Sequence, residues 1–120
     1  MTEYFLTMPH DSETEPTMAS MHETDPDALA AVIAAVEEFN TALKDSGVWR
    51  YAGGLHPPST AKTVDASSGD VRVLDEPFVQ APAYVGGFWV IEAPDEASAI
   101  EWAARASRAV QSPVEVRALQ

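Results

Sequence analysis

The sequence predicts an α+β fold, an antiparallel sheet with two helices on one of its faces. Three observations point there. Two stretches repeat apolar or small residues at helical spacing, and short β-rich runs flank each of them. The order of the pieces is β-α-β, a hairpin, then β-α-β.

Tyr4 to Met8 reads as the opening strand. The following run, HDSETEPTMASMHETDPD from His10 to Asp27, is rich in Ser, Thr, Pro and acid and has neither a helical nor a strand period, so an acidic loop insertion is expected at about residues 9–25. Asp25-Pro26-Asp27 makes a helix start: a capping carboxylate, Pro at the first helical position, then an acid at the positive end of the dipole. Leu29, Val32, Ile33, Val36, Phe39 and Leu43 continue it as one apolar stripe, Lys44 falls in the last turn, and Gly47 takes the C′ position.

Val48 to Ala52 reads as a second strand, followed by the turn-rich Gly53-Gly54-Leu55-His56-Pro57-Pro58-Ser59. Thr60 to Ala66 and Val71 to Leu74 flank Ser67-Ser68-Gly69-Asp70, the pattern of a hairpin. Asp75-Glu76-Pro77-Phe78 forms a turn, and Pro82 keeps the next stretch irregular. Val85 to Ala93 is a strand with Gly86-Gly87 at its start. Pro94-Asp95-Glu96 opens a second helix that runs to about Val110, with Ala97, Ile100, Ala103, Ala104 and Ser107 on a narrow small-residue stripe. Pro113 ends that region and Val114 to Leu119 is the last strand.

Two right-handed crossovers in one sheet put both helices on the same side, which gives a ferredoxin-like arrangement with the other side bare. In Phe88-Trp89-Val90-Ile91, Phe88 and Val90 point one way and Trp89 and Ile91 the other, and both sets are large and apolar. Phe5 opposes Tyr4 and Leu6 in the same manner. A sheet with one wet face alternates apolar with polar residues, and these strands do not. With no third helix in the chain, a second copy is the economical cover, and a homodimer is expected.

Composition narrows the function classes. The chain has 120 residues, a length that predicts a single domain over 1–120. With no cysteine it has no disulfide framework, thiolate nucleophile or Cys-ligated metal. A formal charge of −12 disfavours nucleic acid as a partner. No apolar stretch approaches the ~20 residues of a bilayer span, and MTEYFLTMPH lacks the basic residues and long apolar region of a signal peptide, so no membrane partner and a cytoplasmic location are expected. The charge is local: residues 1–46 hold ten carboxylates against one lysine, a balance of −9, whereas residues 47–120 carry only −3.

Read in order, Gly54-Leu55-His56-Pro57-Pro58-Ser59, Asp75-Glu76-Pro77-Phe78, Gly86-Gly87-Phe88-Trp89-Val90-Ile91-Glu92, Ala99-Ile100-Glu101-Trp102-Ala103 and Val114-Glu115-Val116-Arg117 resemble the landmarks of the YCII-related proteins, and most nearly those of the DGPF-domain branch. The resemblance covers about residues 1–8 and 28–119. It implies a dimeric α+β barrel with a small-molecule cleft between sheet and helices, and an architecture shared with lyases and isomerases of small cyclic metabolites. The chain departs from the pattern at Glu76, where the family carries Gly, and at Gly53, where it carries Glu. The run Val79 to Tyr84 also lacks the charged residues usual there. Functional residues transfer at His56 and Asp75 only.

Those two are the catalytic candidates. His56 sits between Leu55 and Pro57-Pro58, where a rigid backbone can hold a ring suited to general acid–base work. Asp75 can orient that histidine or accept a substrate proton, or it can simply close an Asx-type turn. Arg50 and Arg72, on strands, either form rim salt bridges or clamp a ligand carboxylate, as does Arg117. Tyr51 and Trp89 supply aromatic surface to a ligand pocket, with Trp49 and Tyr84 beside them. Trp102 reads as packing. His10 and His22, with Asp11, Glu13, Glu15 and Glu23, match no standard ligand spacing, so no metal is expected, and no cofactor motif occurs. Two functions compete. One is a small cofactor-independent enzyme performing a lyase, isomerase or cyclisation step by acid–base chemistry. The alternative is a non-catalytic small-ligand-binding or accessory dimer.

Overall fold

The computed structural model describes residues 1–10 and 26–120. Strands β1 (Thr2–His10), β2 (Trp49–Gly54), β5 (Tyr84–Ala93) and β6 (Glu115–Ala118) form one antiparallel sheet in the order β2-β5-β1-β6. Helix α1 (Pro26–Asp45) joins β1 to β2, and α2 (Glu96–Val110) joins β5 to β6. A separate hairpin of β3 (Thr63–Asp65) and β4 (Arg72–Leu74) follows a 3₁₀ turn at Pro58–Thr60. The fold is α+β, as the element order predicts.

The centre of the sheet is the β1–β5 pair, in which Tyr4 lies opposite Ile91 and Leu6 opposite Trp89. Side chains alternate across a strand, so these four point to one face together with Ala93. Both helices cover that face. Phe39 and Leu43 of α1 and Ala99, Ala103 and Ala106 of α2 complete the buried cluster. Leu6, Leu43 and Ile91 are fully enclosed.

The helix ends follow local chemistry. At the end of α1 the Val48 amide bonds the Leu43 carbonyl (3.1 Å) and the Gly47 amide bonds that of Lys44 (3.1 Å), with Gly47 at φ +74°. This paired pattern is a Schellman motif, and it needs a left-handed residue that glycine adopts without a Cβ penalty. Pro26 is the first helical residue of α1, as expected, while Asp25 lies outside the described residues. For α2, the Asp95 side chain accepts from the Ser98 amide at 2.8 Å. That bond holds the Asp95 carboxyl below its ordinary value of 3.8.

Two expectations are corrected. The first strand continues through Pro9 to His10, past a bulge between Met8 and Pro9, so the acidic insertion begins later than residue 9. A proline is tolerated there because β6 pairs only as far as Thr7, leaving the rest of β1 with one neighbour. The remainder of the insertion, with Asp11, Glu13, Glu15, His22 and Glu23, lies outside the described residues. On α2 the buried stripe is Ala99-Ala103-Ala106, while Ala97 and Ile100 face outward. Four of its fifteen positions are charged, and Glu101, Arg105 and Arg108 recur at helical spacing opposite these alanines, a polar face that the expected small-residue stripe does not take into account. The phase is set by close approach to the sheet and by the Trp102 ring, which meets Phe39 at 6.2 Å.

The sheet's other face carries a row of rings. Phe5, on β1, stacks at 5.5 Å from Phe88, on β5, and Tyr51, on β2, lies 6.0 Å beyond. Tyr51 is 62% exposed and no helix crosses this face among the described residues. Apolar residues therefore occupy both sides of the sheet, as the strand patterns predict.

Truncation of the enclosed Leu43 to Ala is expected to lower unfolding free energy by about 2–5 kcal/mol, read by urea denaturation. Gly47→Ala should cost about 1 kcal/mol, whereas Gln111→Gly, at the left-handed residue that ends α2 (φ 55°), should be neutral to stabilising by less than about 1 kcal/mol. Because Asp95 has a lowered folded pKa, its contribution is complete above the ordinary carboxylate value of 3.8 and is lost as pH falls through the folded value. Thermal melts should accordingly show wild type and Asp95→Ala well separated at neutral pH and converging in strong acid.

Candidate functional site

A cleft of about 330 Å³ opens between the sheet and α1. Val36 and Asn40, one helical turn apart, form its roof, and Val110 at the end of α2 closes one side. Its floor comes from Met8, from Ala52 to Gly54 on β2, and from Gly87 to Trp89 on β5, with Trp49 at the flank. Among the described residues no Asp, Glu, Lys, Arg or His lines it.

Glycines create part of this space. A Cβ added at Gly54 would meet nothing nearer than the Gly86 carbonyl oxygen at 4.0 Å, so the volume beside it is open. The Leu55 amide bonds that same Gly86 carbonyl at 2.8 Å and holds the chain as it leaves β2.

Trp89 is the fixed point of the cleft. It is buried, the Phe39 ring meets it edge-on at 5.3 Å, and its indole N–H donates to Asn40 Oδ1 at 2.8 Å. Trp49 is held from outside by Lys44, whose ammonium lies 4.5 Å from the ring centre. Two indoles thus present defined surfaces to the cavity.

The other sequence candidates lie elsewhere. Arg50 is engaged by Glu92 at 2.5 Å and by the Trp49 carbonyl at 2.8 Å, with both charged side chains partly exposed. This is the rim salt bridge, worth up to about 1 kcal/mol. Tyr51 belongs to the aromatic row on the far face. Arg72 is exposed on the hairpin, opposite Asp65. Asp75 has its carboxylate 3.0 Å from Lys62 Nζ and 82% exposed. His56 is exposed two residues beyond Gly54 and is not among the residues that line the cleft. Among the six, Trp89 alone lines the cleft. Trp102 packs on Phe39 and carries Arg105 over its ring at 4.7 Å, which makes it a packing residue. The carboxyl of Asp65 is held below 3.8 by the hydroxyl and amide of Ser67, a turn-closing role.

Sequence reasoning passed over Asn40 and treated Gly54 only as turn material. Asn40 carried a signal: an amide next to Phe39 and one turn from Val36, in a helix otherwise apolar on that side, is a weak helix former placed where a polar group needs a partner. Among the described residues no group of three or more His, Cys, Asp or Glu side chains is placed to hold a metal ion. No described helix is long and apolar enough to cross a membrane.

Replacing Trp89 by Phe removes the indole donor while keeping an aromatic wall. It should cost about 1–3 kcal/mol of stability, read by chemical denaturation, because the Asn40 carbonyl loses its partner.

A search of curated proteins returns no match. The family model for the YCII-related domain matches residues 5–120, from the second half of β1 to the end of the chain. That span takes in every wall of the cleft, both helices, three strands of the main sheet and most of β1, and the chain belongs to the YCII-related domain family.

Proposed function

We propose that this protein is a small-ligand-binding dimer of the DGPF-like branch, with a ferredoxin-like subunit whose open sheet face meets that of a second copy in an α+β barrel. The observation that carries the binding reading is the cleft itself, a 330 Å³ cavity walled by two tryptophans and furnished with Asn40 but with no acid or base among the described residues. Such a cavity suits recognition, since a few placed polar groups in an apolar pocket fix a ligand's orientation. The strand order β2-β5-β1-β6, with two β-α-β units sharing one sheet, supports the ferredoxin-like arrangement. The Phe5-Phe88-Tyr51 row supports dimerisation, because an exposed aromatic patch on a sheet is covered by a self-complementary surface in a twofold dimer.

A second reading, acid–base catalysis of a lyase or isomerase type without a cofactor, has its own support. His56 follows the cleft residue Gly54 by two positions, in a segment stiffened by Pro57 and Pro58, and an exposed imidazole so close in the chain to the cavity is the available acid–base group. Asp75 pairs with Lys62 rather than with a histidine, which leaves His56 to act singly in that scheme.

The two readings separate in one experiment. Incubated with a metabolite panel, the protein should show a melting temperature raised by roughly 10 °C for a ligand at 100 times its Kd. Mass spectrometry should return that ligand chemically unchanged. Formation of a product would overturn the binding reading in favour of catalysis, and His56→Ala should then abolish turnover without lowering the melting temperature. Sedimentation should give twice the 12.9 kDa chain mass, and Tyr51→Asp should shift the species toward the monomer.

A further inference from the structure

We propose that the cleft selects a neutral, planar, apolar molecule carrying a hydrogen-bond acceptor, and that the Asn40 side-chain amide is the group that recognises it. This selectivity presupposes that the cleft is the binding site proposed above. The orientation of Asn40 follows from its partner. An indole N–H only donates, so the atom facing Trp89 Nε1 at 2.8 Å is the Asn40 carbonyl oxygen. The amide nitrogen is therefore turned away from Trp89; among the described residues no protein acceptor is bonded to it, and it is open to solvent rather than buried. A residue on the cleft wall whose carbonyl oxygen already accepts one bond and whose two N–H donors remain favours a ligand that brings an acceptor. Trp89 is itself held by Phe39, so the amide is set in advance of binding.

Charge and shape define the rest of the ligand class. No ionised wall residue is present among the described residues to compensate a buried charge, and a charged ligand entering would lose hydration without a partner. Lys44 lies over Trp49 but is exposed and outside the lining, so it steadies that ring and offers no contact within the cavity. The two indoles and the missing side chain at Gly54 leave room suited to a flat molecule resting close to backbone.

The test uses coumarin, a neutral flat bicycle with a carbonyl acceptor; naphthalene, of similar outline without one; and coumarin-3-carboxylate. Binding is read by quenching of tryptophan fluorescence. Wild-type protein should bind both neutral probes and bind the carboxylate at least tenfold more weakly than coumarin. Asn40→Asp keeps an acceptor for the Trp89 indole but removes the amide donors, so coumarin affinity should fall about tenfold while naphthalene affinity is unchanged. The unchanged naphthalene value shows that the variant is folded. Equal binding of coumarin and its carboxylate by wild type, a comparison that needs no variant, would overturn the neutral class. Equal effects of Asn40→Asp on both neutral probes would overturn the role of Asn40. Gly54→Leu grows into open space and should abolish binding of both neutral probes. Retained affinity in that variant would instead remove the cleft as the binding site, a failure distinct from that of the ligand class.

Discussion

Leu6 faces Trp89 and Tyr4 faces Ile91 across the antiparallel β1–β5 pair, and the rest of the molecule is arranged around that register. A shift by one residue would exchange the two faces of whichever strand slipped. If β5 slipped, Trp89 and Ile91 would leave the helices, and Phe88 and Val90 would turn inward. The register is costly to change because both helices already pack on one set: Phe39 and Leu43 from α1, and the alanine stripe of α2. The buried stripe of α2 is made of alanines, whereas α1 contributes the larger Phe39 and Leu43, and a cavity lies beneath its Val36 and Asn40.

The cavity and the exposed ring row are consequences of the same pair of strands seen from opposite sides. Trp89, on the inner face, is enclosed by a perpendicular ring and an amide, and it builds the cleft wall. Its neighbour Phe88, on the outer face, joins Phe5 and Tyr51 in a surface with no cover from the described chain. Ligand recognition and self-association thus draw on adjacent residues of β5. Polar groups gather elsewhere: Arg50 with Glu92 at the rim, Lys62 with Asp75 near the hairpin, and Ser67 with Asp65 in its turn. These pairs are partly or largely solvent-exposed, so each contributes little to the core.

Much of the fold was legible from residues that act locally. Asp95 caps α2 and Gly47 ends α1, and each works within a few residues of its own position. Gln111 was less legible, because a left-handed helix end was reached without glycine, with the Gln111 side chain donating to the Arg108 carbonyl at 2.6 Å. The site was harder to read. Motif resemblance drew attention to His56 and Asp75, which lie in turns, while the cleft is built mainly by Asn40, Trp49, Trp89 and glycines drawn from three distant segments. Trp89 and Asn40 are 49 positions apart and meet only after α1 folds onto the sheet.

By itself the sequence determined the number, type and order of the elements, the helix ends with Asp95 and Gly47, and the doubly apolar character of the central strands. Each is a property of neighbouring residues and of a period of two or 3.6. Tertiary structure alone decided that Arg50 is paired at the rim and that a cavity lined by no charged side chain among the described residues forms over β2 and β5. Those outcomes depend on packing distance between elements far apart in the chain, and hydropathy carries no information about distance.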